Sequence, residues 1–213
     1  MSIEDAQRRV VEQVKAAVIA RYGERFYDEV LTGHLLAQSV EWFTPYLFGN
    51  GSRKSSLPLS PMGELAEVTK SFAAQLKRPV LEVECGLGIV GAALKVDQAI
   101  DRDPARIEVA RASFPEATIA HGTIDAVPGD GTYGTVMSAF GLGRIATGGA
   151  NPVFLDFVTH ATRLLKSGGL VMVAERARFQ DNLVEPLVAH DYEILKIAAL
   201  PGTNSVLLVA QKA

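Results

Sequence analysis

Val80-Leu-Glu-Val-Glu-Cys-Gly-Leu-Gly-Ile-Val-Gly91 decides how this chain is read. A short apolar run ends in a glycine-rich turn, and a second apolar run then ends at Asp101. That layout predicts a strand, a turn that lets main chain approach a ligand, a helix, and a second strand closed by a carboxylate. A carboxylate so placed can accept hydrogen bonds from ribose hydroxyls. The pattern therefore points to a molecule that contains adenosine, or to descent from a protein that bound one.

The rest of the chain fits one α/β domain with an extension. Its 213 residues are 48% hydrophobic and 21% charged, enough apolar matter for a full core. The net charge of −3 argues against a phosphate backbone as partner. The one basic pair, Arg53-Lys54, reads as a solvated loop. Cys85 is the sole cysteine, so no internal disulfide exists and a reducing, cytoplasmic setting is expected. There is no signal-peptide core and no apolar run of the roughly 18 residues a membrane span needs. A homodimer is left open.

Residues 1 to 78 read as a helical extension or lid. Ser2 with Asp5 forms a cap signal, followed by a Val10, Val14, Val18 stripe. A second helix is expected over 24–38, then an aromatic cluster of Trp42, Phe43, Tyr46 and Phe48, and a loop over 49–56. Ser60-Pro61 opens a third helix with Leu65, Val68, Phe72 and Leu76 on one face.

From residue 79 to 213 strands and helices alternate. The strand candidates are 80–84, 97–101, 117–120, 134–139, 169–175, 192–199 and 204–210. Asp103-Pro104 opens one intervening helix. Asn151-Pro152 opens another, with Phe154, Val158, Ala161 and Leu165 inward and Gly168-Gly169 at its end. This alternation predicts a doubly wound, seven-stranded, mostly parallel sheet. Only Pro201-Gly-Thr203 separates the last two strands. So short a link forces an antiparallel C-terminal hairpin.

Gly86-Leu-Gly-Ile-Val-Gly91 also matches the dinucleotide fingerprint G-x-G-x-x-G. That fingerprint expects its acidic residue about 20 positions on, and Asp101 comes sooner. An NAD-dependent oxidoreductase is thus the weaker reading.

Residues 79–213 resemble the class I S-adenosylmethionine-dependent methyltransferases more closely. Val80-Leu-Glu-Val-Glu-Cys-Gly-Leu-Gly88 is similar to their first motif. Ala99-Ile-Asp-Arg-Asp-Pro-Ala-Arg-Ile-Glu-Val-Ala-Arg111 is similar to their second strand and following helix. Leu164-Leu-Lys-Ser-Gly-Gly-Leu170 resembles the turn before the fifth strand. The resemblance implies S-adenosyl-L-methionine as cofactor and a small, hydrophobic or aromatic molecule as acceptor.

It also implies roles. Gly86 and Gly88 would pass close to the methionine part, with Glu84 and Cys85 in the same turn. Glu82 would fix that turn or reach the methionine amine through water. Asp101, next to Arg102, would take the ribose. His121, Gly122, Thr123, Ile124 and Asp125 would line the adenine. Ser138, Ala139, Phe140 and Gly141 would lie beneath the cofactor. His121 is the candidate base, and no metal site is expected. His160 and His190 read as surface or packing residues. Tyr22, Tyr27, His34, Trp42 and Tyr46 would line the acceptor or pack the helices onto the sheet.

Three departures stand out. Glu84 replaces the first glycine of the family motif, the helix before Asp101 has at most about two turns, and Thr123 stands where an acidic residue often meets the adenine. They support the alternative of a non-catalytic protein of this fold that binds a partner or another ligand.

Overall fold

The computed structural model describes residues 1–24, 62–145, 150–201 and 203–213. The expected second helix, the aromatic cluster, the loop over 49–56 and the Ser60-Pro61 cap lie outside them.

Helix α1 (Ile3–Tyr22) starts where the Ser2 hydroxyl accepts the Asp5 N–H at 3.0 Å. Such a cap satisfies one of the four unpaired donors of a helix start. Helix α2 spans Met62–Ala73. The sheet then builds from β1 (Val80–Val83), β2 (Gln98–Asp101), β3 (Ile119–His121), β4 (Tyr133–Ala139), β5 (Leu165–Arg176), β6 (Tyr192–Ala199) and β7 (Ser205–Lys212). Between the strands run α3 (Ile89–Leu94), α4 (Pro104–Ser113), α5 (Leu142–Ile145), α6 (Ala150–Leu164) and α7 (Gln180–Ala189).

The strands lie in the order β3-β2-β1-β4-β5-β7-β6. The first five are parallel, and β7 runs antiparallel to both β5 and β6. The expected doubly wound sheet and C-terminal hairpin are both present. The order departs from the 3-2-1-4-5-6 of dinucleotide-binding domains, because an antiparallel strand is wedged between β5 and β6.

Alternate strand residues feed two cores, as the period of two demands. Leu81, Val83, Val136 and Val171 meet Phe154, Phe157 and Val158 of α6 and Leu183 and Leu187 of α7. On the opposite face, Ala6, Val10 and Val14 of α1 pack with Leu87, Ile107 and Phe114. Val68 and Phe72 of α2 pack with Val80, Met137 and Met172. The described helices of the N-terminal segment are thus a layer over the sheet. No described helix is long and apolar enough to cross a membrane.

One boundary differs from the sequence reading. Gly168-Gly169 does not end a helix. Helix α6 stops at Leu164 and β5 begins at Leu165. The register moves from Tyr133 opposite Leu165 to Thr135 opposite Leu170, so the glycines lie in a bulge, with Gly168 at φ +69°. At the helix end the Gly131 and Thr132 N–H groups donate to Arg163 O at 3.0 Å and Leu164 O at 2.8 Å, and the Lys212 ammonium donates to Thr162 O at 2.7 Å and Leu165 O at 2.9 Å. Two main-chain amides before β4 and a distant lysine replace the local glycine cap.

Because Phe72 is fully buried against the sheet, Phe72→Ala should cost about 3–5 kcal/mol. Urea denaturation measures this. A loss under about 0.5 kcal/mol, the range of ordinary surface changes, would mean that α2 is not part of the core.

Candidate functional site at the carboxyl edge of the sheet

In an open α/β sheet, ligands bind beyond the carboxyl ends of the strands, where the strand order reverses. Here that point lies between β1 and β4. The turn after β1 places Gly86 at φ +58° and Gly88 at φ +72°, the left-handed region that glycine adopts without strain. Asp101 fixes this turn. One carboxylate oxygen accepts the Gly86 N–H at 2.7 Å, and the other accepts the Asp103 N–H at 2.9 Å. Asp101 is only 1% exposed. Any ribose hydroxyl would share those oxygens with two main-chain amides. Asp103 caps α4 through the Ala105 N–H at 2.9 Å, as its place before Pro104 suggests.

Glu84 also has a left-handed backbone, with φ +55°. A non-glycine residue there costs roughly 1–2 kcal/mol. Its side chain is buried, and the guanidinium of Arg102, half-exposed, donates from Nε to Glu84 Oε1 at 2.7 Å. The pair borders a cleft of about 320 Å³. Val83 and Glu84 come to it from β1 and its turn, Arg102 from the end of β2, and Ile124 from the loop after β3. Leu142 and Ile145 of α5 and Phe157 of α6 complete the apolar wall. On the other side of Glu84, the turn meets the loop after β4. A Cβ added at Gly141 would collide with the Cβ and carbonyl oxygen of Glu84, so only glycine allows the two loops to touch.

Glu82 does not reach the cleft. It is 2% exposed and lies under α3, where its carboxyl sits against Gly91 and a Cβ on that glycine would overlap it. Burial pushes the Glu82 carboxyl up to about 8. The charge of Asp101 adds to the rise, and the Gly91 N–H opposes it. Glu82 is therefore neutral at pH 7.

The remaining sequence candidates are gathered around this edge in different ways. Ile124 enters the cleft wall. Thr123 hydrogen-bonds the exposed Asp125 and holds its carboxyl below the ordinary range. Cys85 is half-buried beside the turn. Ser138 is fully buried at the end of β4, its hydroxyl without a hydrogen-bond partner among the described residues, and Ala139 follows it half-buried. His121 is exposed, and its Nε2 lies 3.0 Å from the Arg102 carbonyl. A carbonyl only accepts, so Nε2 donates there and braces the segment that carries Arg102.

Sequence reasoning missed Leu142, Ile145, Val153, Asp156 and Phe157. Val153 and Phe157 are four apart on α6, one position before Phe154 and Val158, so a wider apolar stripe was the available signal. Of the expected acceptor residues, Tyr27, His34, Trp42 and Tyr46 lie outside the described residues, and Tyr22 is described only as the end of α1. Among the described residues, no group of three or more His, Cys, Asp or Glu could hold a metal ion.

The buried Glu82 generates a pH dependence. Its folded pKa lies above its unfolded value of 4.5, so the folded state binds the extra proton. The stability this contributes is complete below pH 4.5 and is lost as pH rises to about 8. Glu82→Gln keeps the neutral shape and cannot ionise. Relative to wild type, it should gain on the order of 3–5 kcal/mol between those limits and nothing more above them. Chemical denaturation from pH 4.5 to 9 measures the difference, and a gap that stays constant across this range would show that Glu82 does not titrate as described.

No family model matches this chain, and no curated protein matches it. Solved structures do. An S-adenosylmethionine-dependent methyltransferase from Thermotoga maritima is 13% identical over 81% of this chain and all of its own, with a TM-score of 0.56. Another from Aquifex aeolicus is 16% identical over 79% of this chain and 98% of its own, at 0.58. TYW2 of P. horikoshii, solved in complex with MeSAdo, is 13% identical over 74% of this chain and 65% of its own, at 0.52. At such identities the likeness is one of fold. With its strand order, its antiparallel β7 and its glycine turn, the chain has the class I S-adenosylmethionine-dependent methyltransferase fold.

Proposed function

We propose that this protein is an S-adenosylmethionine-dependent methyltransferase acting on a small, hydrophobic or aromatic molecule. The observation that carries the reading is the cleft at the switch point, with walls supplied from the ends of β1 and β2, the loop after β3 and the helix after β4. The P. horikoshii neighbour, a complex with MeSAdo, adds support for a nucleoside ligand.

The residues present fit such a cofactor at the turn. Glu84 keeps the backbone conformation a glycine would give, and Gly86 and Gly88 hold the turn in the left-handed region, with Gly88 packed against Ala110, Phe114 and Ile119. When bound, the cofactor supplies an activated methyl group. The chain's own task is positioning. Asp101 holds the turn, and His121 holds the main chain at Arg102. Arg102 must turn outward from Glu84 to free the cleft, which its half-exposed side chain permits. Ile124, Leu142 and Phe157 keep water from the cleft floor.

A second reading is favoured by one observation. The Glu84–Arg102 ion pair stands within the cleft, and Glu84 is in contact with the loop after β4. A protein of this fold with a closed site would bind another ligand or a partner without catalysis.

Calorimetric titration separates these readings. The methyltransferase reading expects S-adenosylhomocysteine to bind more tightly than NAD. Glu84→Gly should relieve the backbone strain, remove the carboxylate from the cleft and tighten S-adenosylmethionine binding about tenfold, or about 1.4 kcal/mol. Micromolar NAD binding with no response to S-adenosylhomocysteine would overturn the assignment. Silence towards both in wild type, with binding gained in Glu84→Gly, would favour the closed-site reading.

A further inference from the structure

Strand β6 ends the sheet, and among the described residues no strand lies on its outer side. Glu193, Leu195, Lys196, Ile197 and Ala199 are all exposed along it. Leu195 is 46% and Ile197 42% exposed, two of the four large hydrophobics that stand in solvent among the described residues. An edge strand presents a row of unpaired main-chain donors and acceptors, and one that also carries apolar side chains is a template for a further strand.

A bulge gives this edge its charge pattern. The register passes from Ile194 opposite Ala210 to Lys196 opposite Val209, so Leu195 is the extra residue. Directly opposed residues share a face of an antiparallel pair. Glu193, opposite Gln211, and Lys196, opposite Val209, therefore share one face. In a regular strand, residues three apart would point to opposite faces. Tyr192, Ile194 and Ile197, opposite Lys212, Ala210 and Leu208, occupy the other face. Neither Glu193 nor Lys196 has an ion pair among the described residues.

These charges decide what can add to the edge. With the bulge taken as one step, Glu193 is one step before Ile194 and Lys196 one step after it. A two-fold axis normal to the sheet at Ile194 lays a second β6 antiparallel to the first. Ile194 then stands opposite its own copy, and Tyr192 opposite Ile197 of the copy. Glu193 stands opposite Lys196 of the copy, and Lys196 opposite its Glu193. Opposite charges directly across two strands stabilise the pair, and like charges destabilise it. A lysine on an edge repels strands that bring it no acid, which is how such edges are guarded. A second copy brings the acid in register.

We propose that the protein forms a two-fold dimer in solution, its two sheets joined through β6, with Glu193 of each copy paired to Lys196 of the other. This goes beyond the methyltransferase reading and does not rest on it. Strands β5 and β7 lie between β6 and the switch point.

Sedimentation equilibrium tests this from about 1 µM to 1 mM protein, at low salt where surface charges are screened least. Wild type should pass from monomer to dimer. Lys196→Glu and Glu193→Lys each turn two attractive pairs into two repulsive ones, and each should weaken dimerisation about tenfold or more. Mixed in equal amounts, these two variants should pair with each other about as tightly as wild type, because one chain then brings two acids and the other two bases. The double variant Glu193→Lys/Lys196→Glu should return to within about twofold of wild type. In wild type, the β6 amides should exchange with solvent more slowly at the high concentration than at the low one.

Thermal unfolding establishes that the variants, all at exposed positions, are folded. If they are not, the amide exchange of wild type decides. A monomer across the whole range overturns the proposal. So does a dimer that neither single reversal weakens, a mixture of the two variants that stays monomeric, or β6 amides that exchange alike at both concentrations.

Discussion

The carboxylate of Asp101 ties together the two segments that make this edge of the sheet. Its two oxygens take the amide of Gly86 after β1 and the amide of Asp103 after β2. Each is a charge-assisted hydrogen bond in a buried setting, the stronger class of such bonds. With both made, the glycine turn is fixed against the start of α4. Glu84 and Arg102 are carried on those same two segments, one on each side of the knot, and their side chains are thereby brought within 2.7 Å. The pairing of Glu84 with Arg102 at the cleft edge rests on this one carboxylate.

The same knot explains the state of Glu82. Two carboxylates approach each other beneath the turn, and only one can be ionised cheaply in so dry a place. Asp101 has two amide donors. Glu82 has burial and its neighbour's charge against it, and stays neutral at pH 7. A structural carboxylate and a neutral carboxyl thus divide one site by the donors each can reach.

Much of the fold was legible in the sequence, because its signals are local. The apolar runs at 80–84 and 134–139 are strands in the structure, give or take a residue at the ends. The short link, 200–204 in the structure, forced the antiparallel pair. The end of α6 was not legible. Gly168-Gly169 has the composition of a helix cap, whereas the groups that meet the earlier helix end, the Gly131 and Thr132 amides and the Lys212 ammonium, come from far along the chain. The site was legible in place but not in detail. Glu84 could be identified as the odd residue of its turn. Its partner 18 positions away could not, since nothing local distinguishes Arg102 from any other arginine near the end of a strand. Phe157 and Ile145 were hidden for a related reason, since side chains that wall a cleft look like any other packing residues.

The place of β7 in the sheet has a consequence for how the chain is built. β7 lies between β5 and β6 and pairs with both. During synthesis β6 therefore leaves the ribosome before the strand that must stand beside it exists. Until Ser205–Lys212 emerges, β5 presents an open edge of buried-type residues and β6 has nothing to pair with. The five parallel strands can pair as they are made, and β6 must wait for one late strand to join it to them. A nascent chain paused before residue 205 would carry its most exposed sticky edge at β5, the kind of surface chaperones exist to cover.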